Sequence, residues 1–88
     1  MNFQFDPAKA KSNFKKHKVS FADAEGVFYD PRAIHLEDKD SEQEDRWIAV
    51  GLGSAGQILV VVYTFRQDEI RLISVRRATR HEVQDYEE

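Results

Sequence analysis

Arginine is the residue type in this sequence best suited to phosphate chemistry. Thr64 and Arg66 alternate in one strand-like segment, and Ser74 and Arg76 alternate in the next. Alternate residues of a strand share a face, so the two pairs form one polar patch if the two faces coincide. Guanidinium groups bind phosphate oxygens through paired hydrogen bonds and keep their charge at physiological pH. The pattern therefore predicts a phosphate-binding patch on a sheet.

Other arginines surround these two pairs in the sequence. By the same alternation, Arg71 and Arg77 are expected on the opposite face of the sheet. Arg80 lies at the start of a predicted last helix, and Arg46 opens a strand in which Trp47 could stack on a nucleobase. The alternative is that these arginines are scattered over edge strands and contact only solvent.

His17 is the best candidate for proton transfer, because imidazole exchanges protons near neutral pH. It lies in residues 9–18, which contain five lysines and no acidic residue, and Lys15 and Lys16 directly precede it. A phosphate could bind beside it there. The alternatives are a solvated lysine face and a histidine that balances the dipole at a helix C-terminus. Tyr86 or a lysine is a second candidate, and Tyr86 could also stack on a base.

Metal and dinucleotide chemistry find no support in the sequence. The chain has no cysteine, and His17, His35 and His81 are not spaced to place two ligands on one helical face. Residues 51–56 match the glycine pattern of dinucleotide-binding sites, but a strand follows them where such a site needs a helix. We therefore expect a hairpin turn at this position, no metal and no cofactor.

The composition predicts a small globular protein. Its 88 residues form one domain, with 41% hydrophobic and 33% charged residues and a net charge of −3. The longest apolar run, residues 58–63, is far shorter than the ~20 residues of a membrane helix. We expect neither membrane insertion nor secretion, and the cytoplasm as the location.

Two helices are expected near the N-terminus, after a short first strand around Phe3 and Phe5. Asp6 and Pro7 are typical of a helix start, and the first helix should run to about Lys18. A second helix should begin after Ser20 and end before Asp30. The residues expected to face the core are Ala10 and Phe14 in the first helix, with His17 at the end of the same stripe, and Phe21, Ala24, Val27 and Phe28 in the second.

Four strands and a short helix are expected in the rest of the chain. The strands are residues 32–37, 46–52, 58–65 and 69–77, and the acidic residues 37–45 should form a loop. Thr79 and Glu82 form a capping box that opens a last helix with Val83 and Tyr86 inward. The order is β-α-α-β-β-β-β-α, which predicts an α+β fold with two N-terminal helices on a mainly antiparallel sheet and a short C-terminal helix.

The sequence resembles the BrnT family of bacterial type II toxins over nearly its whole length. The closing part of the family pattern, RxIxxRRAxxxExxxYE, is met without departure by Arg71, Ile73, Arg76, Arg77, Ala78, Glu82, Tyr86 and Glu87. The N-terminal part, DPxKAxxNxxKHxVxFxxAxxVFxD, is met by Asp6, Pro7, Lys9, Ala10, Asn13, Lys16, His17, Val19, Phe21, Ala24, Val27, Phe28 and Asp30.

The resemblance implies a RelE-like fold, ribonuclease toxicity, and neutralisation by a BrnA antitoxin whose ribbon-helix-helix part binds DNA. It also implies metal-free cleavage, in which the 2'-hydroxyl of the RNA attacks and leaves a cyclic phosphate. For this chemistry we expect catalytic roles for Arg66, Arg76 and Arg80 as phosphate binders and for His17 and Tyr86 in proton transfer. The residues expected to bind RNA are Lys15, Lys16, Arg46, Trp47 and Arg77.

Two other functions are compatible with the same residues. A ParE-like toxin of the same superfamily would inhibit DNA gyrase through protein contacts and would need no acid-base pair. A binding module without catalysis would use the arginines only to hold an acidic partner. With the BrnA antitoxin that the resemblance implies, we expect a two-to-two complex in which DNA binding comes from the antitoxin.

Overall fold

A computed structural model of the chain describes residues 1–40 and 45–88. It is an α+β structure with three α-helices and a five-stranded sheet, as the pattern of the sequence predicted. The elements in chain order are β1 (Phe3–Gln4), α1 (Pro7–His17), α2 (Phe21–Glu25), a 3₁₀-helix (Gly26–Tyr29), β2 (Ile34–Asp38), β3 (Arg46–Leu52), β4 (Ile58–Arg66), β5 (Glu69–Arg77) and α3 (Arg80–Glu87).

The ends of the helices are set by local hydrogen bonds that the sequence predicted. The Asp6 carboxylate accepts a hydrogen bond from the Ala8 N–H at 2.9 Å, and Pro7 occupies the first turn. The Ser20 hydroxyl accepts from the Asp23 N–H at 3.1 Å and starts α2. Both bonds of the capping box between Thr79 and Glu82 are present at the start of α3.

The sheet is mixed, with the strand order β1-β5-β4-β3-β2. Consecutive strands from β2 to β5 pair antiparallel, and the short β1 pairs parallel with β5 at one edge. The glycine-rich residues between β3 and β4 form the expected hairpin turn, closed by the Gly53 N–H donating to the Gln57 carbonyl at 2.8 Å. β4 is a central strand, and its successive residues Val60 and Val61 are both buried although they point to opposite faces of the sheet, which accounts for its continuous apolar sequence.

The hydrophobic core lies between the sheet and the two N-terminal helices, on a side that we call the α1/α2 face. Four residues of α2 and its flanks, namely Val19, Phe21, Ala24 and Val27, are buried there against the sheet. The sheet contributes the buried side chains of Ala49, Leu59, Val61, Tyr63, Ile70, Leu72 and Val75.

The helix α1 is oriented differently from the prediction. Phe14 was expected to face the core, but it is 51% exposed, while Asn13 is buried. The Asn13 amide exchanges two hydrogen bonds with the backbone of Val75, at 2.8 Å and 3.1 Å, where the edge of β5 extends beyond β1. Buried backbone groups need such partners, and this requirement sets the rotation of α1. Ala10 does pack against the core.

The short helix α3 lies on the opposite side of the sheet, which we call the α3 face. It is attached at its start by an ion pair between Glu82 and Arg76 of β5. None of its residues is buried, and Val83 and Tyr86 are only half-buried. α3 is therefore a thinly packed helix that covers only part of its face.

Several boundaries differ from the predicted ones. β2 runs from Ile34 to Asp38 and not over residues 32–37, so Asp38 belongs to a strand and not to the acidic loop. The rest of the acidic stretch includes residues 41–44, which lie outside the described residues. The second helix is α-helical only to Glu25, and its predicted C-terminal part is the 3₁₀-helix. Within the part that the structure describes, no helix is long and apolar enough to cross a membrane.

Candidate functional site

A row of polar side chains crosses the sheet on the α3 face, which we call the polar row. Arg46 of β3 pairs with Asp38 of β2. It also lies opposite Thr64 of β4, because the next pair along these two antiparallel strands is Trp47 with Tyr63. Thr64 pairs with Arg71, which in turn lies beside Gln4 of β1. Directly paired residues of neighbouring strands point to the same side of a sheet. The Thr64 hydroxyl therefore lies between two guanidinium groups, that of Arg46 on one side and that of Arg71 on the other.

The position of Arg71 in this row contradicts the alternation argument, which expected it on the opposite face. The register between β4 and β5 shifts at Val62 and Tyr63, whose partners are Ser74 and Leu72. Ile73 is therefore an extra residue in β5, and a β-bulge of this kind reverses the faces of the residues beyond it. Ser74 and Thr64 share the α3 face as predicted.

Several contacts hold the polar row. The Arg71 guanidinium donates to the Gln4 side-chain oxygen at 3.0 Å, and the Thr64 hydroxyl donates to the Asp45 carbonyl at 2.5 Å. The buried Nε atom of Arg46 has no hydrogen-bond partner among the described residues. Arg66 follows Thr64 on the same face and pairs with Glu69 at the end of the hairpin. The row therefore combines positive charge with unfilled hydrogen-bonding capacity.

A basic cleft between α1 and β5 adjoins this row. It is open to solvent, has a volume of ≈ 230 Å³ and is lined by Lys9, Ser12, Asn13, Lys16, His17, Ile73 and Ser74. Ser74 belongs both to the cleft and to the α3 face, next to the polar row. Two lysines, a histidine and two serines thus line a space of a size that can hold a phosphate group. Among the described residues, no three His, Asp or Glu side chains are grouped so that they could hold a metal ion.

Arg76, one of the predicted phosphate binders, is engaged in holding α3. Its guanidinium forms two hydrogen bonds with the Glu82 carboxylate, at 2.8 Å and 2.9 Å. These bonds from Arg76 lower the pKa of Glu82 to about 2, and the same contact raises the pKa of Arg76. Glu82 also accepts a hydrogen bond from the Thr79 N–H. In the free chain, Arg76 is therefore the link between β5 and the start of α3.

Tyr86, the second predicted proton-transfer residue, is also held in a contact of its own. Its hydroxyl donates to the Asp30 carboxylate at 2.5 Å, and this bond raises the pKa of Tyr86. Burial alone would raise the pKa of Asp30, but hydrogen bonds from Tyr86 and from the N–H groups of Leu52 and Arg32 outweigh it, and the net pKa is lowered. The Asp30 carboxylate thus joins α3 to the end of β3.

The other predicted residues are divided between the surfaces. Arg80 is exposed in the first turn of α3, and Lys15 is exposed on α1 without lining the cleft. Arg77 pairs with Leu59 and so belongs to the α1/α2 face, as expected. Trp47 packs against the core on that same face, away from the polar row. The structure therefore groups Lys16 with His17 in the cleft and Arg46 with Arg66 on the α3 face.

His35, whose role the sequence left undecided, contacts an aromatic cluster. Its Nδ1 atom lies 2.8 Å from the hydroxyl of Tyr63, whose pKa is raised by burial. Both rings also lie against Phe28 on the α1/α2 face. His35 is therefore separate from the basic cleft and from the polar row.

Comparison with known proteins identifies the family. Residues 5–82 match the family described as the ribonuclease toxin BrnT of type II toxin-antitoxin systems. The chain belongs to the BrnT family. Its fold is similar to the crystal structure of the ribonuclease toxin BrnT from Brucella abortus, with a TM-score of 0.70 and 26% sequence identity over 91% of this chain and 99% of that one. No curated protein matches the sequence.

Membership of the BrnT family makes this chain a ribonuclease toxin of a type II toxin-antitoxin system, with an antitoxin as its partner. The sequence argument missed part of the surface described above. The helix positions Lys9, Ser12, Asn13 and Lys16 follow the i, i+3, i+4, i+7 spacing of one helix face. A polar stripe with this spacing indicates a helix that turns a polar face to its neighbour, and it could have located the cleft.

Proposed function

We propose that this BrnT-family toxin cleaves RNA without a metal ion, at a surface made of the basic cleft and the polar row. The observation that supports the proposal most is the cleft, which brings the imidazole of His17 together with two lysines and two serines. Ser74 connects it to the arginines of the α3 face. An RNA strand can therefore contact positive charge continuously from α1 to β4.

The proposed reaction uses the nucleophile that RNA carries. The 2'-hydroxyl oxygen forms a bond to the adjacent phosphorus and its proton passes to His17 Nε2 or Nδ1. The bond from phosphorus to the 5'-oxygen breaks, and that oxygen takes a proton from a lysine ammonium such as that of Lys16. The products are a 2',3'-cyclic phosphate and a 5'-hydroxyl. Cationic donors directed at the phosphorane oxygens stabilise charge that develops in the transition state, at about 3 kcal/mol for a well-placed donor.

Two of the residues predicted to be catalytic receive a structural role in this proposal. Tyr86 donates to Asp30, and Arg76 is paired with Glu82, so both hold α3 in place. We propose Arg46, Arg66 and Arg71 as the phosphate-binding arginines of the polar row, and Arg80 as a further contact at the start of α3.

The biological setting follows from the family. We propose that the free toxin acts in the cytoplasm, where its RNA cleavage arrests growth, and that a BrnA-like antitoxin neutralises it. The toxin has no DNA-recognition motif, so DNA binding by the complex would come from a ribbon-helix-helix part of the antitoxin, whose dimer would hold two toxins.

The test of the catalytic proposal is cleavage of a defined RNA by the purified toxin with and without EDTA. We expect equal rates in both conditions. His17→Ala should lower the rate by about 10²-fold or more, since a positioned acid or base contributes that much. His81→Ala is the matched control, because His81 is exposed on α3 and forms only a 3.7 Å pair with Asp85. Loss of cleavage in EDTA, or equal rates for the two variants, would contradict the mechanism.

The arginine part of the proposal needs its own variants. Arg46→Ala and Arg66→Ala should reduce RNA cleavage and toxicity while the thermal melt stays cooperative. Arg76→Ala, in contrast, should lower the melting temperature, because it breaks the ion pair with Glu82. Full toxicity of folded Arg46→Ala and Arg66→Ala would remove the polar row from the site.

The same samples distinguish the two alternative functions. Growth arrest with intact RNA and inhibited DNA supercoiling would indicate a toxin that acts on gyrase. Intact RNA and normal growth would indicate a binding module without catalysis.

A further inference from the structure

An apolar groove lies beside α3, on the part of the α3 face that this helix leaves uncovered. Its floor is formed by Ile34 and Leu36 of β2 and Ile48 and Val50 of β3, and its volume is ≈ 270 Å³. Leu36 is 60% exposed although it points to the same side as its half-buried partner Ile48. A large aliphatic side chain so exposed, next to other apolar residues, is typical of a surface that another molecule covers.

The backbone beside the groove is also available for binding. β2 is the last strand in the sheet order, and no other strand of the described residues pairs with its outer edge. An edge strand presents N–H and C=O groups that an extended segment of another chain can pair with. The opposite edge differs, since Asn13 and α1 cover β5 there.

The charge around the groove indicates the chemistry of its occupant. Glu82 and Asp85 of α3 line one side, and no lysine or arginine is among the lining residues. Asp38 adds one acidic residue on the same face at the end of β2, beside Arg46, whereas Glu37 pairs with Trp47 and belongs to the α1/α2 face. RNA phosphates would be repelled by the carboxylates that line the groove, so we expect the RNA surface to end at Arg46, which lies next to the groove on the same face but does not line it. A second copy of the chain would bring the same acidic residues, so like charges would meet.

We propose that this groove is a docking site for the antitoxin, and that it binds an extended segment carrying apolar side chains flanked by lysine or arginine. The apolar side chains cover Leu36 and Ile48, the basic ones meet Asp85, and the segment backbone pairs with β2. The inference rests on the antitoxin partnership in the proposed function, but not on which residues cleave RNA.

The test measures binding of the purified cognate antitoxin to toxin variants, together with RNA cleavage by each variant alone. Leu36→Glu and Asp85→Lys should weaken antitoxin binding about tenfold or more, because each places an unfavourable charge in the contact. Phe14→Glu is the matched control for the first variant, since Phe14 is an exposed apolar residue on α1. Asp68→Lys is the control for the second, in the turn between β4 and β5. All four should cleave RNA like the parent.

A second measurement tests the backbone pairing. Hydrogen exchange of the peptide that spans residues 34–38 should slow when the antitoxin binds. Parent-like affinity of Leu36→Glu, or unchanged exchange in residues 34–38, would overturn the proposal. So would a toxin that is dimeric without antitoxin and becomes monomeric with Leu36→Glu, because the occupant would then be a second copy. A toxin that binds antitoxin as proposed but leaves RNA intact would refute the catalytic proposal alone.

Discussion

The substitution Asn13→Ala should destabilise the protein strongly although it removes no hydrophobic contact. The Asn13 side chain donates to the Val75 carbonyl at 2.8 Å, accepts from the Val75 N–H at 3.1 Å, and donates to the Val19 carbonyl at 3.4 Å. Val75 is 1% exposed, so water has little access to these backbone groups in the parent. Alanine at position 13 would leave a donor and an acceptor of Val75 without partners.

The size of the effect follows from the cost of those two backbone groups. A buried donor or acceptor that loses its partner costs about 1–3 kcal/mol. Partial entry of water would recover some of this, so we expect a loss of about 3 kcal/mol in the free energy of unfolding. For a domain of this size, 1 kcal/mol corresponds to roughly 4–8 °C in melting temperature. The melting temperature of Asn13→Ala should therefore fall by roughly 12–24 °C.

The assay is thermal and urea unfolding followed by circular dichroism. Lys11→Ala is the matched control, because Lys11 is exposed on the same helix. Asn13→Asp adds a pH test, since the introduced carboxylate would face carbonyl oxygens and its folded-state pKa would rise above the usual ~3.9. The penalty should be fully present above that raised pKa and vanish as the pH falls below ~3.9. A melting temperature of Asn13→Ala close to that of Lys11→Ala would refute the reasoning.

Three further predictions concern other contacts. The pKa of Glu82 is lowered from 4.5 to about 2. The stability that its carboxylate provides should therefore be present above pH 4.5 and lost as the pH falls toward 2. Over that range, the difference in urea midpoint between the parent and Glu82→Gln should shrink. Asp68→Gly should stabilise the protein by about 0.5–1 kcal/mol in urea unfolding, because Asp68 has a φ of 66° in the turn of a β-hairpin and glycine adopts such angles without strain. No gain would mean that local contacts of Asp68 offset the strain. Light scattering of the co-purified antitoxin complex should give a two-to-two mass, and an electrophoretic shift assay should show no DNA binding by the toxin alone; a one-to-one mass would contradict the first expectation.

Most of the fold could be predicted because its signals are local. Helix caps, hairpin turns and the apolar alternation of strands depend on residues near one another in sequence. The glycine-rich turn between β3 and β4 and the capping box of Thr79 are confirmed for that reason. The family resemblance is confirmed by the match over residues 5–82.

The predictions that were wrong concern contacts between segments that are distant in the sequence. The rotation of α1 follows from the need of Val75 for a partner, and Asn13 is 62 residues away from it in the chain. The position of Arg71 depends on a β-bulge in β5. The bulge arises from the pairing register of β4 and β5, which the alternation of residues within one strand cannot show. The role of Arg76 could not be predicted because the capping Glu82 was assigned only to its own helix. The assignment of catalytic roles stays a prediction until the variants are measured.

The unequal edges of the sheet limit how copies of this protein can assemble. A fibre that grows by pairing the sheet edges of successive molecules needs two unpaired edges on each molecule, so that each one can bind a neighbour on both sides. Among the described residues, one edge holds only the short β1 and is covered along β5 by the side chain of Asn13, while the outer edge of β2 has no strand paired with it. We therefore expect the sheet to be extended by one strand at most, at the β2 edge. The added strand can come from another protein or from a second copy of this chain. The contact of Asn13 with β5 therefore disfavours polymerisation through the edges of the sheet.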